Sequence, residues 1–294
     1  MSKNIFFAEI EGFSLFGEPL FQIPLVSEMY NKQKKEYDKA YENYKKNKNN
    51  ADNIIWLGRR TAYLGNFRDA IAIFTEGIEK FPSDPRMYRH RGHRFITLRL
   101  FKLATEDLLK AAELIEGQQD EIEPDGIPNA RGIPVSSLHS NIWYHLGLVY
   151  YLQAKYEESL DAFIKCLDTL SLEDNFVACA HWIYMILQLL DRKEEAEKLI
   201  EKVKVNMDII ENHYYHEILL MYKGNYDINV MMDKARVMGE LANAAIAYSV
   251  ANWYFYNNNI DKAKALLEEI IELENWATFG YIAAEADLKK IIGK

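Results

Sequence analysis

Apolar and small residues recur along the chain at helical spacing, in paired segments separated by short polar turns. The clearest pair begins at Ile54, in the stretch IIWLGRRTAYLGNFRDAIAIFTEGIEKFP. Its first half carries Leu57 and Gly58, and its second half carries Phe67, Ala70, Phe74 and Gly77. Spacings of three and four residues are the signature of amphipathic α-helices. The pattern predicts two antiparallel helices that approach closely, because small residues of one helix lie opposite large residues of the other helix.

The same pattern returns further along the chain. Gly92 stands 34 residues after Gly58, in phase with it, and Leu108 stands 34 residues after Phe74. A third copy begins at Trp143 and contains Leu146-Gly147. Weaker copies follow near Ile183 and Leu220, and a sixth copy around Val250 matches the pattern more closely again. One helix pair cannot bury its apolar face alone, so the repetition predicts stacked neighbours.

This spacing resembles the tetratricopeptide repeat (TPR), a helix–turn–helix unit of 34 residues. The resemblance covers residues 51–275. It implies an all-α fold, a right-handed α-α superhelix (a TPR-like solenoid) of about six helix pairs with N- and C-terminal capping helices. The phrases WLGRRTAYLG, RHRGHR and NIWYHLGL also resemble those of a group of bacterial TPR proteins. That second resemblance implies the fold and no particular activity.

The pattern divides the chain into five parts. Residues 1–50 are expected to form an extended strip and a capping helix, and residues 51–116 the first two TPR pairs. Residues 117–140 interrupt the repeat as a long inserted loop, residues 141–275 hold pairs three to six, and residues 276–294 form a C-terminal capping helix. Loops of this length in a compact domain are usually functional or disordered. The apolar residues in this loop favour order.

Composition narrows the function classes. The chain has 294 residues, of which 49% are hydrophobic, and a formal net charge of -9. That acidity argues against nucleic acid as a partner, because phosphate contacts dominate such binding. The N-terminus lacks the features of a signal peptide and no apolar run is long enough to span a membrane, so we expect a cytoplasmic protein with no membrane partner. Two cysteines without metal-ligand spacing predict no metal site.

Arginine is concentrated in one region of this acidic chain. Nine of the eleven arginines fall between Arg59 and Arg131, and the stretch RMYRHRGHRFITLR holds five of them. Elsewhere the chain uses lysine almost exclusively. The planar guanidinium fork binds carboxylate or phosphate at two points and stacks on aromatic rings. The concentration therefore indicates a task that a simple point charge would not perform.

The resemblance places many of these side chains on one surface, because the first helix of each TPR pair lines a concave groove. Aromatic residues and histidines continue that surface along the later repeats. An arginine patch flanked by rings suits an anionic ligand. The predicted ligand-binding residues are Arg59, Arg60, Tyr63, Arg89, His93, Arg94, Arg131, Tyr144, His145 and His181.

The function predicted from these residues is a binding module whose partner is an acidic peptide or protein, or a small anionic ligand. An alternative is a small-molecule receptor or enzyme whose Arg/His/aromatic pocket is closed by the 117–140 loop. A third interpretation is structural: the four acids of that loop pair with the arginines and leave nothing for a ligand. The sequence predicts no catalytic residues and no cofactor.

Overall fold

The computed structural model describes residues 9–169, 172–237 and 240–293. The regular secondary structure of these residues is helical apart from one small antiparallel hairpin near the start and one isolated bridge between Ile122 and Ser137. None of the described helices is long and apolar enough to cross a membrane. The elements, in chain order, are strands β1 (Ile10–Phe13) and β2 (Pro19–Phe21) and helices α1 (Ser27–Lys46), α2 (Ala51–Tyr63), α3 (Phe67–Lys80), α4 (Pro85–Thr97), α5 (Phe101–Leu114), α6 (Leu138–Leu152), α7 (Tyr156–Asp168), α8 (Glu173–Leu189), α9 (Lys193–Glu201), α10 (His213–Tyr222), α11 (Ile228–Val237), α12 (Glu240–Tyr256), α13 (Ile260–Ile271) and α14 (Phe279–Ile292).

Consecutive helices pack in pairs, from α2 with α3 to α12 with α13. First helices of neighbouring pairs also contact one another, as α2 does with α4 and α4 does with α6. We call the surface that these first helices share the first-helix face. The prediction of an all-α, TPR-like superhelix is confirmed. Six helix pairs lie between α1 and α14 in the described parts of the chain.

Glycine allows the two helices of a pair to touch. A Cβ atom on Gly58 of α2 would lie 2.5 Å from Cε1 of Phe74 in α3, inside the contact distance of two carbons. The ring therefore packs directly on the helix backbone. The same approach recurs one and two helix pairs along, at the pairs Gly92–Leu108 and Gly147–Phe163. This recurrence is the structural basis of the sequence repeat.

The segment expected to form an extended strip before α1 is instead a two-stranded hairpin. Gly17 adopts φ of 88° between β1 and β2, a conformation that favours glycine, and the chain turns back there. The hairpin attaches to both ends of the repeat. Glu11 accepts a hydrogen bond from the Arg68 backbone N–H at 2.9 Å, and the Phe21 carbonyl accepts one from Trp276 Nε1 at 2.8 Å.

The C-terminal helix α14 packs within the repeat and does not simply extend it. Ile282, Ala283 and Ala284 have no exposed surface, and α14 contacts α6 as well as its sequence neighbours α12 and α13. A buried ion pair joins it to the second repeat, where Arg99 Nε donates to Glu285 Oε2 at 2.9 Å. The two ends of the repeat are therefore linked through α14 and the hairpin.

Candidate functional site

The 117–140 loop lies over the arginines of α2 and α4 and presents one buried carboxylate to them. Glu123 Oε2 is 3.1 Å from Arg89 Nε, and Glu123 Oε1 is 3.6 Å from His90 Nε2 and 4.0 Å from the Arg59 guanidinium. Asn141 of α6 donates to the same carboxylate at 3.1 Å. One negative charge thus faces two arginines, because burial and the neighbouring arginines lower the pKa of His90 well below its usual value and keep that ring neutral.

Backbone carbonyls of the loop satisfy two further guanidinium groups. Arg59 donates to the Pro124 carbonyl and Arg60 to the Gly126 carbonyl, each at 2.8 Å. The Gly126 backbone rests on the Tyr63 ring, which leaves no room for a side chain at that position. Trp56 stacks beneath both arginines, 4.4 Å from the Arg59 guanidinium carbon and 5.1 Å from that of Arg60. These contacts close the loop over α2.

One of the four loop acids, Glu123, therefore pairs with part of the arginine patch, in line with the structural interpretation. Arg59 and Arg89 face Glu123, and Arg60 also lies 3.6 Å from Glu36 of α1. Outside the patch, Arg91 forms a two-point pair with Asp107, at 2.7 and 2.8 Å. The arginines that remain open to a ligand are fewer than the sequence suggested.

Arg94 is different. Its guanidinium carbon lies 5.4 Å above the Phe67 ring, and in the described part of the chain no carboxylate lies within 4.0 Å of it. The residue is partly exposed. Burial and the positive charges of Arg89 and Arg59 lower the pKa of Arg94 to about 10, so it stays protonated at neutral pH. It is a cation in a positive environment without a countercharge among those residues.

His93 and His145 lie beside Arg94 and pack against each other with their ring planes tilted by 45°. Their ring centroids are 4.3 Å apart, and the Phe279 ring of α14 is 5.3 Å from His93 and 5.7 Å from His145. Burial, aided by the nearby arginines, lowers the pKa of both histidines well below the usual value. His145 Nδ1 donates to the Asn141 carbonyl at 2.6 Å, which leaves Nε2 as a buried acceptor with no partner among the described residues.

Tyr144 and His181 belong to an aromatic cluster deeper in the repeat. The Tyr144 hydroxyl accepts a hydrogen bond from Trp182 Nε1 at 2.8 Å, and burial raises the pKa of that hydroxyl well above its usual value. His181 is only 1% exposed and stacks on Tyr215, with centroids 4.9 Å apart. Burial lowers the pKa of His181 to about 3. This histidine packs inside the molecule and does not reach the surface around Arg94.

Arg131 points elsewhere on the loop and contacts Asp208, just before α10, with its guanidinium nitrogen 2.6 Å from the carboxylate. The predicted set is thus divided by the fold. The structure groups Arg59, Arg60, Tyr63, Arg89, His93, Arg94 and His145 around the loop and α14, and it separates Arg131 and His181 from them. Tyr144 borders both groups, because its ring lies 5.8 Å from that of His145 while its hydroxyl pairs with Trp182. Within the described residues, no group of three His, Cys, Asp or Glu side chains could hold a metal ion.

Sequence reasoning missed several residues that contact the predicted site residues directly. Phe67, Trp56 and Phe279 provide the rings against which the arginines and histidines pack, and Glu123 was only one of four candidate acids. Phe279 is far from His93 along the chain and carries no local signal of their contact. For Glu123, the signal available in the sequence was its place between two apolar residues, Ile122 and Pro124.

Comparison with known proteins adds relatives at the level of the fold. No protein-family profile matches the sequence, and no curated protein matches it. Among solved structures, the chain is similar to YrrB, described as a TPR protein with an unusual peptide-binding site, at 15% identity and a TM-score of 0.45 over 84% of this chain and 97% of that one. It is also similar to MamA, at 16% identity and a TM-score of 0.45 over 69% of this chain and 100% of that one. A third similar structure is the APC/C hetero-tetramer Cut9–Hcn1, at 16% identity and a TM-score of 0.47 over 82% of this chain and 40% of that one.

Proposed function

We propose that this TPR-type chain is a binding module that holds a peptide or protein partner through one anionic group, a carboxylate or a phosphate, at Arg94. The observation that carries the proposal is the charge balance at the first-helix face. Arg59, Arg89 and Arg94 lie close enough to affect one another, and Glu123 is the carboxylate nearest the first two. Asp125 is also close enough to Arg59 to interact with it, but neither acid pairs with Arg94, and a negative charge there would reduce the net positive charge of the cluster.

The surroundings of Arg94 favour an anion over water. Phe67 covers one side of the guanidinium, which leaves its edge free for the two-point hydrogen bonds that carboxylates and phosphates accept. The low polarity of such surroundings strengthens each bond relative to one in water. Arg94 is already protonated at neutral pH, and a bound phosphate or carboxylate would stabilise that charged form further.

The shape of the surface favours a short anionic segment over a long extended peptide. Helix α14 occupies part of the first-helix face, where Phe279 meets His93 and His145. The 117–140 loop covers another part through Pro124 and Gly126. A terminal carboxylate, an acidic side chain or a phosphorylated side chain needs only the exposed part of the Arg94 side chain.

A second candidate is a receptor for a small anionic molecule, with the same chemistry at Arg94. It is favoured by the closure of the loop over α2 and by the unpartnered Nε2 of His145 near the arginines. This acceptor would pair with a donor on a small ligand, such as a hydroxyl group beside its phosphate or carboxylate.

Thermal unfolding at constant ionic strength tests the proposal and separates the two sources of the anion. Inorganic phosphate, glutarate and an oligoglutamate peptide are each added, with chloride as the reference salt. An anion that binds only the folded state stabilises it, by about 2.7 kcal/mol at a hundredfold excess over Kd. We expect Tm to rise, with the peptide effective at the lowest concentration. If glutarate and phosphate match the peptide, the small-molecule receptor is favoured.

Two variants of helix α4 give the matched comparison. Arg94→Gln should remove most of the rise in Tm, and Arg94→Lys should recover part of it, because lysine keeps the charge and loses the fork. Arg86→Gln is the control, since Arg86 lies on the same helix but pairs with Asp52 and Asp84. Equal effects of chloride and phosphate, or an undiminished rise in Arg94→Gln, would contradict the proposal.

A further inference from the structure

A cavity of about 630 Å³ lies away from the arginine patch, among the start of α7 and helices α8, α12, α13 and α14. Its walls are mainly apolar, from residues such as Leu189, Phe255 and Ile291, and its few polar groups come from Tyr156, Asn252, Asp287 and Lys290. This volume lies within the range of small-molecule sites, which combine apolar walls with a few placed polar groups. We propose that the cavity binds a small aromatic or branched aliphatic molecule that carries a hydrogen-bond donor, accepted by Asn252 Oδ1.

The orientation of the Asn252 amide follows from a chain of hydrogen bonds. Asp287 is paired with Lys290 at 2.8 Å, so its carboxylate only accepts, and Tyr248 must donate to it across 2.6 Å. The Tyr248 oxygen then accepts from Tyr151 at 2.5 Å. The Tyr151 oxygen in turn accepts from Asn252 Nδ2 at 2.9 Å. Each proton in the chain has one possible direction, which fixes the amide nitrogen against Tyr151.

Asn252 Oδ1 is consequently left as a buried acceptor on a residue that lines the cavity. Asn252 is 3% exposed, and Oδ1 has no hydrogen-bond partner in the described part of the chain. A buried acceptor that lacks a partner costs free energy until something donates to it. The amide cannot rotate to relieve this, because rotation would turn the nitrogen away from Tyr151. Oδ1 has almost no accessible surface, so a ligand donor reaches it through a small movement of the cavity wall and then completes the network.

The rest of the lining sets the character of the ligand. Leu189, Phe255, Leu267 and Ile291 favour an apolar body. Lys290 and Asp287 neutralise each other at 2.8 Å, so the cavity supplies no unpaired charge for a charged ligand to meet. The site thus differs in chemistry from the surface around Arg94, and the two sites can be tested independently.

Equilibrium dialysis with two probes of the same shape tests the proposal. Indole is an apolar bicycle with an N–H donor, and benzofuran has the same outline with an oxygen in place of that group. We expect both to bind at submillimolar to millimolar concentration and indole to bind about fivefold more tightly, the usual worth of one hydrogen bond. Absence of binding by both, or equal binding of the two, would overturn the assignment.

Two variants test whether the probes bind in this cavity. Leu189→Trp places a larger ring at the cavity wall and should weaken both probes by about tenfold or more. Asn252→Leu removes the acceptor and should bring the two affinities within about twofold of each other. If Asn252→Leu does not fold, Leu189→Trp still tests whether the probes bind in the cavity. Leu189 is only half-buried, so we expect this variant to fold. Unchanged binding in Leu189→Trp would place the probes elsewhere and contradict the proposal.

Discussion

At the scale of single residues, Glu123 has the most consequential position. It is 8% exposed and faces Arg59 and Arg89 from a loop that has no regular structure of its own beyond a short bridge. Breaking a buried ion pair by removing one partner costs about 3–5 kcal/mol, because the other charge stays buried. We expect Glu123→Ala to lower the free energy of unfolding in urea by about that amount. The exposed neighbour Glu121 is the control, and equal losses in Glu121→Ala and Glu123→Ala would contradict this role.

His181 gives a prediction about pH. Its pKa is lowered to about 3 in the folded state, whereas an unfolded histidine titrates near 6.5. Below about pH 6.5 the unfolded chain binds a proton at His181 that the folded chain does not bind. The stability that neutral His181 contributes is therefore fully present above pH 6.5 and is lost as the pH falls toward 3. The slope for one such group is about 1.4 kcal/mol per pH unit.

Urea unfolding between about pH 7 and pH 5 measures this slope. His90, His93 and His145 shift in the same direction and steepen it in the wild-type protein. The variant His181→Phe should reduce the slope by up to about 1.4 kcal/mol per pH unit, the contribution of one proton, whatever its effect on stability at neutral pH. A slope that His181→Phe leaves unchanged would show that this ring is protonated in the folded protein.

At the scale of elements, the close contact within each helix pair is the feature most open to disruption. Ala70 has no exposed surface and lies on the face of α3 that carries Phe67 and Phe74. We expect Ala70→Leu to overpack that contact and cost about 1–3 kcal/mol. Ala72→Leu on the exposed face of the same helix is the control. Thermal melts that fall equally in both variants, or in neither, would contradict the predicted register.

The elements themselves could be predicted because their signals are local. The spacing of Gly58, Phe67 and Phe74 specifies two packed helices, and its repetition specifies the stack. The path of the 117–140 loop could not be predicted, because it depends on which distant cations its carbonyls and Glu123 reach. The hairpin before α1 was missed for a similar reason: its apolar residues suggest burial, and only the turn at Gly17 shows that the strand doubles back.

At the scale of the whole molecule, a buried ion pair joins the C-terminal helix α14 to the second helix pair. Arg99 and Glu285 are 8% and 1% exposed, and Arg99 also donates to the Trp276 carbonyl at 2.9 Å. We expect Glu285→Gln and Arg99→Met each to cost about 3–5 kcal/mol in urea unfolding. The double variant should cost less than their sum, since it leaves no unpaired charge. Strict additivity would show that the pair does not act as a unit.

The position of α14 also explains why the candidate site could be predicted only in part. Sequence reasoning placed the arginines on neighbouring first helices, and α2 and α4 do carry them side by side. It treated the C-terminal helix as a simple cap, whereas Phe279 packs against His93 and His145. Contacts between residues this far apart depend on the curvature of the whole superhelix, which is the sum of many small packing angles.

The claim that Arg94 binds an anionic group can be tested directly by NMR of the arginine side chains. In ¹H–¹⁵N spectra of the guanidinium groups, titration with inorganic phosphate at constant ionic strength should move the Arg94 Nε–H resonance along a saturating curve. The resonance of Arg99, already paired with Glu285, should stay in place. An Arg94 resonance that does not move, or that moves no more than it does with chloride, would contradict the account.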